Sequence, residues 1–154
     1  MGAVIAAIRV GKTVLGDIEL FARYVDAPVA AITGSNGKST VTELVAELLR
    51  AAGQAVAAGG NLGTAASQLV LDGGWESWVL EVSSFQGELL TAMAPRVAVF
   101  LNLSQDHLER HASLDIYLAA KRRLFAFQGA GDVAVLNADD PAAAATAGAA
   151  RRRL

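Results

Sequence analysis

Cysteine is absent from the 154 residues, which excludes disulfides and thiolate metal sites and suits a reducing cytoplasm. Long apolar runs are absent as well: 53% of the residues are hydrophobic, yet no stretch approaches the roughly twenty needed to cross a bilayer as a helix. The N-terminus has neither the charged start nor the sustained apolar core of an export signal, so a soluble, cytoplasmic chain is expected. Charge of one sign is scarce. A formal net charge of -2 provides no basic field for nucleic acid, and Arg151-Arg152-Arg153 is too short and too local to provide one. Neither a nucleic acid nor a membrane is expected as a partner. The length allows one sizeable core and is too short for two ordinary domains.

What is present is a nine-residue stretch, Ile32-Thr33-Gly34-Ser35-Asn36-Gly37-Lys38-Ser39-Thr40, set between an apolar run and an amphipathic one. Pro28 to Ile32 is short, apolar and partly β-branched, as befits a buried parallel strand entered through a proline. Beyond the stretch, Val41, Leu44, Val45, Leu48 and Leu49 recur at helical spacing and Gly53 supplies a stop. Strand, glycine-containing loop and helix in that order aim backbone N–H groups and the positive end of a helix at an anion. Gly34, Ser35, Asn36, Gly37, Lys38, Ser39 and Thr40 are therefore the candidate phosphate-binding residues. Lys38 adds a point charge for the outer phosphates, and the Ser39 hydroxyl is a hard oxygen ligand for Mg²⁺. The usual phosphate-loop pattern has a further glycine five residues before the Gly-Lys pair, where this chain has Ile32.

Other strands bring polar residues to the same side. Gln54 to Ala58 is a short candidate strand ending in Gly59-Gly60-Asn61-Leu62-Gly63, where glycines let the backbone approach a ligand and Asn61 offers an amide; an Asx-type turn is the alternative. Thr64 to Leu71 is expected as a helix. Ser77 to Val82 is a clear strand with Glu81 at its C-terminal end. In an open parallel sheet ligands gather at that edge, so Glu81 either faces the crevice of the phosphate loop or is a charge at an exposed strand end. Ser83-Ser84-Phe85-Gln86 follows as a polar cluster at the crevice mouth or as a helix cap.

Arg96 to Leu101 makes a further strand, which exits through Asn102-Leu103-Ser104-Gln105-Asp106-His107. A neutral imidazole at His107 can bind a divalent metal, with Asp106 orienting it. His111 lies four residues on and hints at a paired site, although Leu108-Glu109-Arg110 is too short to establish a helix. A helix is expected over 113–127, capped by Ser113, with Leu114, Tyr117, Leu118, Leu124 and Phe125 on its apolar stripe. Lys121 falls inside that stripe, so its amine must reach solvent, pair with a carboxylate or lose its charge. Asp132 to Leu136 is the last strand. At the start of the chain, residues 3–15 suggest a helix and a short strand, and Asp17 the cap of a helix carrying Ile18 and Phe21. The alanine-rich residues 142–154 have no amphipathic stripe and are expected to fray.

The motifs Gly16 to Phe21, Gly34 to Thr40, Gly59 to Gly63, Leu80 to Gln86, Asn102 to His111, Tyr117 to Phe125 and Leu136 to Pro141 resemble, in order and spacing, those of the ATP-dependent Mur ligases of bacterial cell-wall synthesis. Leu80-Glu81-Val82-Ser83-Ser84-Phe85-Gln86 together with Gly16-Asp17-Ile18-Glu19-Leu20-Phe21 favours the D-glutamate-adding members. The resemblance spans about residues 14–141. It implies an α/β fold with a mostly parallel sheet and flanking helices, the phosphate-loop central domain of that family. It also implies a peptidoglycan-building reaction in which ATP phosphorylates the carboxylate of UDP-N-acetylmuramoyl-L-alanine and D-glutamate displaces the phosphate. Under it, Lys38 binds the transferring phosphate, Ser39 and Glu81 hold one Mg²⁺, and His107 helps to hold a second. Lys121 matches a lysine that CO₂ carbamylates into a metal ligand, so Lys38, Glu81, His107 and Lys121 form the catalytic set. Asn61, Ser83 and Gln86 match positions near the acyl and muramoyl groups.

Family members have three domains. Residues 1–15 are accordingly expected to be the end of a UDP-binding domain, 16–141 an incomplete ATP-binding domain and 142–154 a tail, with the C-terminal domain absent. A monomeric, truncated chain that keeps the phosphate site without turning over is the expectation. The competing readings are a stand-alone ATP- and Mg²⁺-binding module and a non-catalytic interaction unit.

Overall fold

A computed structural model describes residues 6, 7, 9–104, 111 and 113–148 of the chain. Its centre is a five-stranded, wholly parallel sheet in the order β2-β3-β1-β4-β5. The strands are β1 (Val29–Thr33), β2 (Val56–Gly60), β3 (Ser77–Glu81), β4 (Val97–Phe100) and β5 (Val133–Leu136). Helices α1 (Asp17–Ala22), α2 (Lys38–Ala51), α3 (Ala66–Asp72), α4 (Ser84–Gly87), α5 (Leu114–Arg122) and α6 (Pro141–Ala144) connect and cover them. The α/β expectation is met.

Side chains alternate across a strand, so one sequence feeds two cores. On β3, Trp78 and Leu80 join Ile18, Phe21, Leu90, Phe100, Leu124 and Phe125 on one face. Val79 joins Ile32, Ala46 and Val56 on the other, where Val41, Val45 and Leu49 of α2 pack. By the same alternation Glu81 belongs to the α2 face. Parallel pairing sets Ile32 and Gly60 opposite Glu81 on either side, so the phosphate loop, Glu81 and Asn61 leave the sheet at one level.

Several expectations are corrected. Leu44 and Leu48 are exposed, because α2 meets the sheet along Val41, Val45 and Leu49 with Thr42 and Ala46 buried beside them, which leaves the other two on the flank. Leu114 is likewise partly exposed. No strand forms over 13–15. The helix from Ser113 ends at Arg122 and passes into a 3₁₀ turn over Arg123–Phe125. Of the residues expected to fray, 142–148 instead form most of α6 and a 3₁₀ turn (Ala145–Gly148), with Asp140 capping α6 and Ala143 and Thr146 buried, whereas 149–154 lie outside the described residues. Small side chains allow that close approach without an amphipathic stripe.

Asp17 is not the cap of its own helix. Gly16 precedes α1, and the Asp17 carboxylate instead accepts from the backbone N–H groups of Ala66 (2.8 Å) and Ser67 (3.1 Å), capping α3. Glu19, two residues on, is fully buried and accepts from Thr91 N–H (2.8 Å), the Thr91 hydroxyl, Ala92 N–H (3.1 Å) and Arg23 Nε (3.3 Å). Burial pushes its carboxyl up, but the hydrogen bonds from Thr91, Ala92 and Arg23 outweigh that and hold it below the ordinary glutamate value.

Candidate functional site

The phosphate loop connects β1 to α2. Gly37 adopts φ +80°, a left-handed conformation that favours glycine, and immediately precedes the helix. As a glycine it supplies no side-chain cap, so the N–H groups of the first turn of α2 remain open toward an anion. Two lysines reach carbonyls of the loop: Lys38 Nζ donates to Ser35 C=O (2.9 Å) and Lys121 Nζ to Gly34 C=O (2.6 Å). Lys121 is buried and its amine also lies 4.4 Å from the centre of the Tyr117 ring. The structure thus shows the Lys121 amine hydrogen-bonded to the loop backbone.

Glu81 is 2% exposed, not a surface charge at a strand end. Its Oε2 accepts from the Ser39 hydroxyl (2.7 Å) and its Oε1 from Asn61 Nδ2 (2.7 Å). Asn61 N–H in turn donates to the Glu81 carbonyl (2.9 Å), and Gly60 N–H to that of Thr64 (2.9 Å). The glycines before Asn61 serve this packing: a Cβ on Gly60 would stand 2.5 Å from the Glu81 carbonyl oxygen, and one on Gly59 would collide with that of Thr64.

The donor set suits a hard cation. Neighbouring ligands of an octahedral Mg²⁺ with bonds of about 2.1 Å stand about 3 Å apart, and the Ser39 and Glu81 oxygens are already at a similar separation. Among the described residues no three His, Asp or Glu side chains cluster as a complete cage. His107, the expected second-metal residue, lies outside the described residues, as does Asp106.

Ser83 and Gln86 are brought together, but as a capping box on α4. Ser83 Oγ accepts from Gln86 N–H (3.3 Å), while Gln86 Oε1 accepts from Ser83 N–H (3.0 Å) and the Ser83 hydroxyl (3.1 Å). Ser84 is buried and pairs with His111 Nε2 (2.9 Å). The His111 ring stacks on Phe85 and leans on Tyr117, and its Nδ1 lies 3.2 Å from a Glu88 carboxylate oxygen without hydrogen-bond geometry. His111 is thus a packing residue between α4 and α5 in this structure.

Sequence reading missed the partners of the loop itself. Asn102 and Ser104 bond Ser35 and Asn36, and the Tyr117 hydroxyl lies 3.2 Å from Ser35 Oγ. The signal was available in part, since Asn102 leaves β4 beside the phosphate loop in any parallel sheet that pairs the two strands.

A family model described as the Mur ligase middle domain matches residues 32–153. The chain belongs to the Mur ligase family. Among relatives, a protein named UDP-N-acetylmuramoylalanine–D-glutamate ligase from Desulfotalea psychrophila is 52% identical over 134 residues, covering 86% of this chain and 29% of that protein. One of the same name from a Caulobacter species is 49% identical over 138 residues, with 85% and 29% covered. The chain therefore spans under a third of the length of these curated relatives. Among solved structures, the MurF ligase of Thermotoga maritima in complex with ADP is similar at a TM-score of 0.70 and 26% identity, over 88% of this chain and 34% of that one. A UDP-N-acetylmuramoyl-L-alanyl-D-glutamate–2,6-diaminopimelate ligase gives 0.63 at 36% identity, over 78% and 28%. These matches agree with the family resemblance of the motifs.

Proposed function

We propose that this chain is the ATP-binding middle domain of a ligase that adds D-glutamate to UDP-N-acetylmuramoyl-L-alanine in peptidoglycan synthesis. The names of its relatives support the substrates. The observation that carries the chemistry is the contact of Ser39 with Glu81 beside an open helix start that follows Gly37. In this reading residues 16–141 are the ATP-binding unit, and the work is cytoplasmic.

The reaction moves the γ-phosphoryl group of ATP to the substrate carboxylate, forming an acyl phosphate and ADP. The amine of D-glutamate then attacks the acyl carbon, and phosphate leaves with the formation of the amide. The chain's own part is positioning and charge neutralisation. Backbone N–H groups from Gly37 to Thr40 hold the phosphates. Lys38 exchanges its bond to the Ser35 carbonyl for a phosphate oxygen. Ser39 and Glu81 would hold one Mg²⁺, with Asn61 fixing the carboxylate, and His107 would contribute to a second. Bound Mg²⁺ supplies Lewis-acid neutralisation of the phosphoryl oxygens. A neutral Lys121 amine can add to CO₂ with loss of a proton, giving a carbamate oxygen as a further ligand in place of a buried cation. Asn61, Ser83 and Gln86 stand at the acyl end.

Calorimetric titration of the chain with ADP and Mg²⁺ tests the reading. Saturable binding that weakens at least about tenfold without Mg²⁺ is expected. No heat at millimolar nucleotide overturns it.

A further inference from the structure

Leu101 to Ser104 continues β4 beyond the sheet, and its two sides are engaged differently. Toward β5, the Leu101 carbonyl accepts from Asn137 Nδ2 (2.9 Å) and Leu103 N–H donates to Asp140 Oδ2 (2.9 Å). Toward β1, the Asn102 carbonyl accepts from Ser35 N–H (2.9 Å). The Asn102 side chain forms a reciprocal pair with the next residue: Oδ1 accepts from Asn36 N–H (2.9 Å) and Nδ2 donates to Asn36 C=O (3.1 Å). Flipping that amide would set donor against donor, so the network fixes its orientation. Ser104 completes the contact, its N–H donating to Ser35 Oγ (2.9 Å) and its hydroxyl accepting from Asn36 Nδ2 (3.2 Å). Gly34 permits the approach, since a Cβ there would stand 3.1 Å from Leu101 Cβ and 3.4 Å from Asn102 N.

One residue thus satisfies three backbone groups of the phosphate loop, while Asn137 and Asp140 hold its neighbours from the opposite side. We infer that Asn102 is a positioning residue for nucleotide binding: it presets the path of Ser35 and Asn36 and withdraws the Asn36 N–H from the anion, so that phosphate is gripped from Gly37 onward. The inference rests on the nucleotide-binding function proposed above. The loop is shaped before the ligand arrives, so binding does not have to bear the ordering entropy of those residues. The Leu136-to-Pro141 motif acquires a role as well, as the outer clamp on Asn102.

ADP with Mg²⁺ is titrated by calorimetry into the unaltered chain, Asn102→Ala and Asn102→Asp, and each chain's thermal unfolding is recorded. Asn102→Ala removes both side-chain bonds and leaves the backbone bond to Ser35, so ADP binding should weaken about tenfold. Asn102→Asp keeps the acceptor for Asn36 N–H but sets a carboxylate oxygen against the Asn36 carbonyl, and should bind ADP no better than Asn102→Ala. A lowered unfolding temperature with unchanged ADP affinity would mark a merely structural role and overturn the inference. A second measurement needs no variant. In the nucleotide-free chain the Ser35 and Asn36 amide hydrogens should exchange slowly, and ADP should leave Asn36 unchanged while protecting Gly37 to Thr40. Rapid exchange at Asn36, or strong protection there by ADP, overturns the inference. If the unaltered chain does not bind ADP, the nucleotide-binding proposal fails and this inference with it. If it binds and Asn102→Ala binds equally well, this inference alone fails.

Discussion

The Ser39 hydroxyl donates to Glu81 Oε2 across 2.7 Å, although 42 residues separate the two in sequence. The contact follows from sheet geometry: Glu81 is paired with Ile32, projects to the α2 face with Val79, and there meets the second residue of α2. If these two oxygens hold the metal that accompanies the nucleotide, either can be removed with the loop intact. Ser39→Ala and Glu81→Gln should each weaken Mg²⁺-dependent ADP binding by at least about tenfold, with far less effect on binding measured in EDTA. Equal losses with and without Mg²⁺ would argue against a metal role.

Gly60 makes the Glu81–Asn61 pairing possible. Its φ is +101°, and an added Cβ would stand only 2.5 Å from the Glu81 carbonyl oxygen, so Gly60→Ala is strained twice, by backbone conformation and by collision with main chain. A loss of about 3 kcal/mol in urea unfolding is expected. A loss below about 1 kcal/mol would show that β2 and β3 can part there without consequence.

Glu19 gives the fold an acid sensitivity. Its folded carboxyl titrates below the ordinary value, so its hydrogen bonds to Thr91 and Ala92 contribute stability above the unfolded glutamate value of about 4.3, and that contribution is lost as pH falls through the lower folded value. Thermal unfolding followed from pH 7 down to about pH 3 should therefore fall more steeply for the unaltered chain than for Glu19→Gln. Parallel curves would place the acid response in other carboxylates.

The strands were legible in the sequence because short apolar, β-branched runs entered by Pro28 and Pro95 have few other ways to be buried. Glu81 was legible because it ends such a run. Burial of α2 was only half legible: periodicity places Leu44 and Leu48 near the stripe, but the width of the contact with the sheet leaves them in solvent. What could not be read is long-range pairing of polar groups. Nothing local to Asn102 says that its amide will mirror the backbone of Asn36, and nothing local to Ser83 decides between a cap and a ligand until Gln86 folds back on it.

Asp17 is the clearest case, because local reading gave the right role on the wrong helix. It sits in the first turn of α1, yet caps α3 from 49 residues away, where the residue preceding α3 is Ala65 and has no capping oxygen. Asp17→Ala should cost about 1 kcal/mol, or some 2–4 °C in unfolding temperature, and Asp17→Asn should recover most of it, since asparagine also accepts at a helix start. The effect should spread in one direction only. The segment from Asn61 to Ala65 joins Glu81's partner to the capped turn, so hydrogen exchange in Asp17→Ala should rise at Ala66, Ser67 and Asn61 while the amides of α2 remain as protected as before. If exchange rises equally in α2, Asp17 acts on global stability alone; if only Ala66 and Ser67 respond, the cap does not reach Asn61. Either pattern would separate the clasp on α3 from the carboxylate that the α3 loop supports.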